Sequence, residues 1–243
     1  VDMSDLEAFR AEAREWLQAN APEGVIGLVS DEVNGVWGGT RPEFAHPDQK
    51  IWLERMGAKG WTAPTWPTEY GGGGLSKEEA KVLTQEMRDL KLPPALVGFG
   101  LTMIGPTLLR FGNEAQKTQH LPRLCRGEIR WFQGYSEPGS GSDLASIQTK
   151  AERDGDHFII NGTKVWTSYA DKADWIFALV RDDNSGIKQE GITFILIDMD
   201  NPGVTVSPIL LISGKSPFCE THFTDVRVPV SNEIHEIGAG WTV

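Results

Sequence analysis

Two glycines and two serines fall within the five residues 138–142, inside the segment EPGSGSD at 137–143. Glycine lets the backbone turn consecutive N–H groups toward one anion and places no side chain in the way. The hydroxyl groups of Ser140 and Ser142 could donate further hydrogen bonds to a phosphate. The composition is that of a pyrophosphate-binding loop. Plain turns share it, so the loop alone is weak evidence for a ligand.

Four ordered segments that include this loop resemble signatures of the acyl-CoA dehydrogenase family. They are GWTAPTWPTEYGGGGLS at 60–76, FGNEAQKTQHLPRLCRGE at 111–128, SEPGSGSD at 136–143 and NGTKVWTSYADKADW at 161–175. The resemblance covers nearly the whole chain and continues through FTDVRVP at 223–229 and GAGW at 238–241. Four motifs in the same order are far more specific than the glycine- and serine-rich loop by itself.

The resemblance implies FAD as the cofactor and an acyl-CoA thioester as the substrate. By motif position, Gly141 and Ser142 would close the phosphate loop, and Ser142 would also contact the acyl-CoA. Trp166 would cover one face of the flavin, although without the resemblance a core tryptophan on a strand is the simpler interpretation. A hydrogen-bond donor at the redox end of the flavin helps to stabilise the reduced ring. The cofactor-binding residues implied in this way are Phe132, Gln133, Tyr135, Ser136, Gly141, Ser142, Trp166, Thr167 and Ser168.

By the family pattern, different residues of this set would contact different parts of the flavin. The segment 132–136 would lie along the flavin, with the hydroxyl of Ser136 facing its pyrimidine part. Thr167 and Ser168 would bring a backbone N–H and a hydroxyl to the redox end. Gln133 stands where an aromatic or apolar residue is common, and Tyr169 replaces a smaller or amide residue. These two changes alter the expected acyl pocket, so we infer no chain length from them. We infer no substrate class either, because the resemblance implies that much of this pocket comes from the C-terminal helices.

The catalytic base is not among the residues that the resemblance carries over. Dehydrogenation of an acyl thioester needs a carboxylate that removes the α proton while the β hydrogen leaves as hydride. In the family this glutamate lies on a C-terminal helical domain, and the sequence ends at 238–243, where we expect that domain to begin. We therefore assign no catalytic residue. Glu137, which precedes Pro138 and Gly139, is expected to stabilise the turn.

Two alternatives to a dehydrogenase stay open. A flavin monooxygenase or oxidase could use the same scaffold, because a fold does not fix the chemistry. The chain could also be a naturally short, non-catalytic subunit that completes the FAD site of a partner, whereas the leading interpretation makes it the N-terminal and middle portion of a dehydrogenase. For the leading interpretation, the resemblance implies electron transfer to a protein acceptor such as an electron-transfer flavoprotein, and assembly into homo- or hetero-oligomers.

Composition excludes several other functions. Twenty-three Lys and Arg against 34 Asp and Glu give a net charge of −11, which repels nucleic acid and anionic membranes. The sequence has no basic N-terminal signal segment and no run of eighteen apolar residues, so we expect no membrane insertion and a cytoplasmic, or mitochondrial matrix, protein. Two distant cysteines and five histidines without metal-ligand spacing predict neither a disulfide nor a metal site.

Helical periodicity dominates the first half of the chain. Capping-box patterns at Ser4–Glu7 and Ser76–Glu79 predict two helix starts, and Asn113 predicts a third. The apolar segment Leu96–Phe111 predicts a buried helix that Pro106 must kink or split.

Short strands replace helices after residue 128. Apolar runs predict strands around 158–160 and at 175–180, 192–197, 204–208 and 223–228. Asp154-Gly155 and Asn161-Gly162 each predict a tight hairpin turn. We therefore predict an α+β fold, with an N-terminal all-α domain at 1–128 and a β-barrel-like middle domain at 129–243, as in the acyl-CoA dehydrogenase fold.

Overall fold

A computed structural model describes residues 3–31 and 34–243 of the chain. The chain forms two compact units, one of residues up to 101 together with 118–128, and one of residues 102–117 together with 129–243. The segment 102–117, which the sequence analysis assigned to the helical domain, therefore groups by its contacts with the second unit.

The first unit is helical and is built around a cluster of tryptophans. Trp16 lies against Trp52 and Trp61, with ring centroids 6.3 and 4.9 Å apart. Leu17 and Leu83 complete the buried centre of this cluster. The helices of the chain are α1 (Met3–Asn20), α2 (Asp48–Ala58), α3 (Lys77–Asp89), α4 (Gly105–Phe111) and α5 (Glu114–Cys125), of which α4 lies in the second unit and α5 has residues in both.

Two of the predicted helix starts are confirmed. Ser76 and Glu79 form a complete capping box at the start of α3. The Asn113 side chain accepts a hydrogen bond from the Gln116 N–H at 2.9 Å, in front of α5. The capping prediction at Ser4 was wrong, because the chain is already helical at Met3.

The predicted helix from Leu96 to Phe111 is confirmed from Phe99 onward, since every residue from Phe99 to Phe111 is helical. A π-helical turn occupies Gly100–Ile104, and α4 follows directly after it. Pro106 is the second residue of α4 and follows the π-helical segment within the same helical stretch. The helix therefore continues through Pro106 and changes from π-helical to α-helical form just before it.

The second unit is built on an eight-stranded mixed sheet. The strand order is β6-β7-β3-β2-β4-β5-β8, and β1 pairs in parallel with β4. Together with the helices of the first unit, this sheet confirms the predicted α+β class. The strands are β1 (Trp131–Gly134), β2 (Lys150–Asp154), β3 (His157–Ser168), β4 (Trp175–Arg181), β5 (Ile192–Asp198), β6 (Val204–Ile209), β7 (Phe218–Pro229) and β8 (Glu233–Ile234).

One of the two predicted hairpin turns is present. Asp154 pairs with His157, so β2 and β3 are joined by a two-residue turn that contains Gly155. The turn predicted at Asn161-Gly162 was wrong, because both residues lie inside β3 at a shift of its register with β7. A Cβ on Gly162 would lie 2.5 Å from the Thr149 hydroxyl oxygen, so this glycine is required by close packing.

Glu86 is a buried charged residue in the helical unit, and substitution can test its contribution to stability. The Glu86 side chain on α3 is 2% exposed and accepts hydrogen bonds from Arg10 at 2.7 Å and Arg14 at 2.6 Å on α1. We expect Glu86→Gln to lower the free energy of unfolding by about 1.5 to 3 kcal/mol in urea denaturation, because hydrogen bonds to charged groups are lost. Glu7→Gln, which alters an exposed contact with the same Arg10, is expected to cost less than about 0.5 kcal/mol. Equal effects of the two substitutions would contradict this interpretation.

Candidate functional site

The loop at 137–143 is a closed backbone turn with an open outer surface. Glu137 and Ser140 exchange two backbone hydrogen bonds, each of 3.0 Å. A Cβ added at Gly139 or Gly141 would meet no heavy atom within 4 Å. Within the described ranges, the N–H groups of Gly141 and Ser142 donate to no protein acceptor. The turn therefore presents two adjacent backbone donors to an unobstructed space.

The two serines of this loop are in different surroundings. Ser142 is exposed, whereas Ser140 is 3% exposed. Ser136, just before the loop, is half-buried, and its carbonyl oxygen accepts from the Val165 N–H at 2.9 Å. The predicted hydroxyl donors are thus Ser142 on the surface of the loop and Ser136 at its base, and burial removes Ser140 from the set.

A bulge in β3 turns Trp166 out of the sheet. The register between β3 and β7 shifts between Lys164 and Thr167, and Trp166 has a φ of +59°, in the left-handed region that bulky residues rarely adopt. Its side chain is 56% exposed and touches the edge of Phe218 at a centroid distance of 5.8 Å. Thr167 points inward, where its hydroxyl donates to the Cys219 carbonyl at 2.8 Å. The bulge thus leaves the indole of Trp166 exposed to solvent.

The open loop and the displayed tryptophan belong to neighbouring segments. The hydrogen bond from Val165 to Ser136 places the base of the loop beside the start of the bulge. Ser168, half-buried, ends β3 two residues beyond the indole. The structure therefore brings the base of the loop next to the part of β3 that carries Trp166, Thr167 and Ser168.

The predicted cofactor-binding side chains of residues 132–135 have contacts within the protein. Phe132 is 1% exposed, so its side chain belongs to the core. Tyr135 packs edge-on against Phe177 and Phe194 at centroid distances of 6.0 and 6.3 Å. Burial raises the pKa of Tyr135 to about 12, against the opposing effect of a hydrogen bond from Gln133. The polar Gln133 thus has a partner within the protein.

Tyr169, the other unusual residue, also has a defined environment. It adopts a φ of +57°, and its N–H donates to the Pro217 carbonyl at 2.7 Å. The Arg130 guanidinium lies 5.4 Å from the centre of its ring, within the range of a cation–π contact. The residue that follows the triplet is therefore held by both its backbone and its side chain.

A buried ion pair lies beneath the loop. Lys164 Nζ is 2.8 Å from Glu137 Oε1, and the two side chains are 0% and 6% exposed. Burial alone would raise the pKa of Glu137, but the neighbouring ammonium and the hydrogen bonds that the carboxylate accepts lower it below its usual range. Burial lowers the pKa of Lys164 to about 8, against the attraction of Glu137. Both side chains are therefore charged at neutral pH.

Two buried cations near the loop, Lys164 and Arg181, are not predicted from the sequence. Arg181 is 3% exposed, and its guanidinium donates to the carbonyl oxygens of Ala145 and Ile147. Each of the two is a charged residue in a strand with an apolar residue on one side only, Val165 or Val180, and this pattern does not reveal a partner. The expectation that Glu137 stabilises its turn agrees with the partners that the structure gives it.

Among residues 3–31 and 34–243, no cluster of three His, Cys, Asp or Glu side chains is arranged to hold a metal ion. None of the helices in the same ranges is both long and apolar enough to cross a membrane.

Two profiles of one protein family match almost the whole chain. The acyl-CoA dehydrogenase N-terminal domain matches residues 3–128, and the acyl-CoA dehydrogenase middle domain matches residues 133–226. The chain belongs to the acyl-CoA dehydrogenase family. The middle-domain match contains both the glycine- and serine-rich loop and the Trp166 bulge, so the family assignment and the site geometry concern the same residues.

One relative and two solved structures of this family are similar to this chain over nearly all of its residues. Acyl-CoA dehydrogenase IpdE1 of Mycobacterium tuberculosis is 39% identical over 241 residues, which cover 99% of this chain and 61% of that relative. The solved Tcur3481-Tcur3483 steroid ACAD superposes with a TM-score of 0.72 at 36% identity, over 100% of this chain and 60% of that chain. The ChsE4-ChsE5 complex from Mycobacterium tuberculosis gives 0.72 at 30% identity, over 100% and 58%. This chain therefore spans about three fifths of the length of these relatives.

The exposure of Trp166 predicts that it contributes little to stability. We expect Trp166→Ala to change the free energy of unfolding by less than about 0.5 kcal/mol, as is usual for surface positions. The matched change Trp131→Ala removes a side chain that is 2% exposed, and is expected to cost about 3 to 5 kcal/mol. The free energy of unfolding of each variant and of the unmodified protein is measured by urea denaturation, with unfolding monitored by circular dichroism. A large loss for Trp166→Ala would show that this indole is a core residue.

The lowered pKa of Glu137 predicts a stability difference that depends on pH. Because the folded-state pKa lies below the unfolded value, the carboxylate contributes its full stability above about pH 4.5 and loses it as the pH falls through the folded-state pKa. We therefore expect Glu137→Gln to be less stable than the unmodified protein at neutral pH, and the difference to shrink in acid. Chemical denaturation of both proteins over a pH series measures it. A difference that grows in acid would contradict the sign.

Proposed function

We propose that this chain supplies the FAD-binding part of an acyl-CoA dehydrogenase that introduces an α,β double bond into an acyl-CoA thioester. The observation that supports this most is the pairing of an open glycine- and serine-rich loop with an indole displayed by a strained bulge, in a chain of this family. A strained backbone at a displayed aromatic residue is typical of functional sites.

In this proposal, different residues of the site bind different parts of FAD. The free N–H groups of Gly141 and Ser142 and the Ser142 hydroxyl suit a pyrophosphate, which is an anion that accepts several hydrogen bonds. Trp166 offers an exposed aromatic face for the ring system. The Ser168 hydroxyl and the Thr167 N–H are proposed donors to the ring nitrogen that becomes reduced. When bound, FAD supplies the hydride acceptor.

We place the catalytic base outside this chain. Glu137 is the carboxylate at the start of the loop, but it is paired with Lys164 and accepts two backbone hydrogen bonds. A carboxylate held in this way has a lowered pKa and no free oxygen for an α proton, so it is a poor general base. In this proposal, the chain binds and orients the cofactor and contributes Ser142 to the acyl-CoA site.

The relatives suggest the partners and the substrate class. Two of the similar structures are named as two-chain assemblies, and one of these is named a steroid ACAD. We therefore propose that this chain functions in an oligomer with a second chain of the same family, and that a steroid-derived acyl-CoA is the first substrate to test. A protein such as an electron-transfer flavoprotein would accept the electrons, in the cytoplasm.

Anaerobic reduction tests the proposed reaction. The protein, purified with the chains that accompany it, is mixed with a steroid-derived acyl-CoA under argon, and the visible flavin absorption is followed. Bleaching together with formation of an enoyl-CoA is expected. A rapid return of the flavin colour when oxygen is admitted, with formation of hydrogen peroxide during turnover, would favour the oxidase alternative. Flavin that appears only after a partner chain is added would favour the non-catalytic subunit.

The two proposed hydroxyl donors predict the effect of their removal. We expect Ser142→Ala and Ser136→Ala each to weaken FAD binding by about 1.5 to 3 kcal/mol, or roughly tenfold to a hundredfold, because a hydrogen bond to a charged or polar cofactor group is lost. Ser207→Ala on β6, an exposed serine outside the site, serves as the control and should bind FAD normally. Fluorescence titration of the flavin-free proteins measures the affinities. Unchanged affinity in both site variants would reject the assignment.

A further inference from the structure

We infer that the buried Glu137–Lys164 ion pair is a positioning pair, which holds the loop at 137–149 and the Trp166 bulge in register for the cofactor. The inference rests on the proposed function, because the site that it orders is the proposed FAD site. Neither side chain is proposed to touch the flavin. Their role is to fix the backbone groups that do.

The Glu137 carboxylate closes the loop at both of its ends. It accepts from the Gln148 N–H at 2.6 Å and from the Thr149 N–H at 2.9 Å, while its own backbone forms the turn with Ser140. Residues 137 and 149 are twelve apart in sequence, and one side chain joins them. Because the carboxylate accepts these donors together with Lys164 Nζ, it fixes the span that contains Gly141 and Ser142.

Lys164 connects this closed loop to the bulge. Its ammonium donates to Glu137 and to the Tyr135 carbonyl at 3.0 Å, and the neighbouring Val165 N–H donates to the Ser136 carbonyl. Lys164 is also the residue at which the β3 register begins to shift, two positions before Trp166. One buried side chain therefore anchors the start of the bulge to the residues on both sides of Ser136.

General stability does not explain why a charged pair occupies this position. Burying two charges is costly, and apolar residues of similar volume often stabilise a protein equally well. Apolar side chains, however, could not accept from two amides and donate to a carbonyl, so they would leave those buried backbone groups without partners. Directed hydrogen bonds to the loop and the strand are what this pair provides beyond packing.

The charge on Lys164 is the part of this arrangement that titrates near neutral pH. The charged groups that face it are Glu137 in the loop and Arg181 on β4, and Arg181 holds the same loop through the carbonyls of Ala145 and Ile147. Burial lowers the pKa of Lys164 to about 8, so mild alkali removes its proton. Loss of the ammonium weakens both of its contacts and should loosen the cofactor site.

To test this inference, the affinity for FAD is measured at several pH values, with the protein purified together with the chains that accompany it. For the unmodified protein we expect the affinity to fall severalfold from about pH 7 to about pH 9, since the ammonium is lost in that range. We expect Lys164→Met to bind FAD about tenfold to a hundredfold more weakly at neutral pH, with no fall across the same range, since charge-assisted hydrogen bonds are removed. Arg227→Gln, which breaks an exposed ion pair with Asp154 in the same sheet, should retain both the affinity and the pH profile.

A second measurement separates this role from a failure of the proposed function. In the flavin-free protein, Glu137→Gln should accelerate hydrogen exchange at the Gln148 and Thr149 amides, while the amides of β4 and β5 keep their rates. That result supports positioning even if the unmodified protein binds no FAD, in which case the proposed function alone fails. Two results overturn the inference: exchange that rises equally throughout the sheet, or variants whose FAD affinity and pH profile match those of the unmodified protein.

Discussion

The candidate site depends on one buried carboxylate. Glu137 starts a loop whose composition is suited to an anion, and its side chain ties the far end of that loop back to its beginning through the Gln148 and Thr149 amides. Loops rich in glycine are flexible, and flexibility lowers affinity because it must be lost on binding. A carboxylate whose charge is matched by Lys164 removes that flexibility in advance. The open surface over Gly141 is useful only because the loop beneath it is fixed.

The second constraint is the register shift in β3. In a regular strand, successive side chains point to opposite faces of the sheet, so the position of a residue in the strand decides whether its side chain is buried or exposed. The bulge between Lys164 and Thr167 interrupts this alternation, so that Lys164 and Thr167 are buried and Trp166 is exposed between them. The positive φ of Trp166 is the local cost of this arrangement. The same few residues therefore supply an internal anchor and an external aromatic surface.

Sequence patterns predicted the features that local chemistry decides. The caps at Ser76 and Asn113 depend on residues three positions apart, and both are present. The family motifs indicated the loop and the Trp166 triplet. The wrong hairpin at Asn161-Gly162 shows the limit, because this glycine is needed for contact with Thr149, a residue distant in sequence. The partnership of Lys164 with Glu137 could not be predicted for the same reason, since twenty-seven residues separate the two.

An experimental structure with FAD bound would test the central claim most directly. We expect the pyrophosphate oxygens within hydrogen-bonding distance of the Gly141 and Ser142 N–H groups, and the ring system against the indole of Trp166. We also expect the Glu137–Lys164 pair to be unchanged, since the site is formed before the cofactor arrives. FAD bound elsewhere, or a loop that opens and breaks its bonds to Glu137 when FAD binds, would contradict the account.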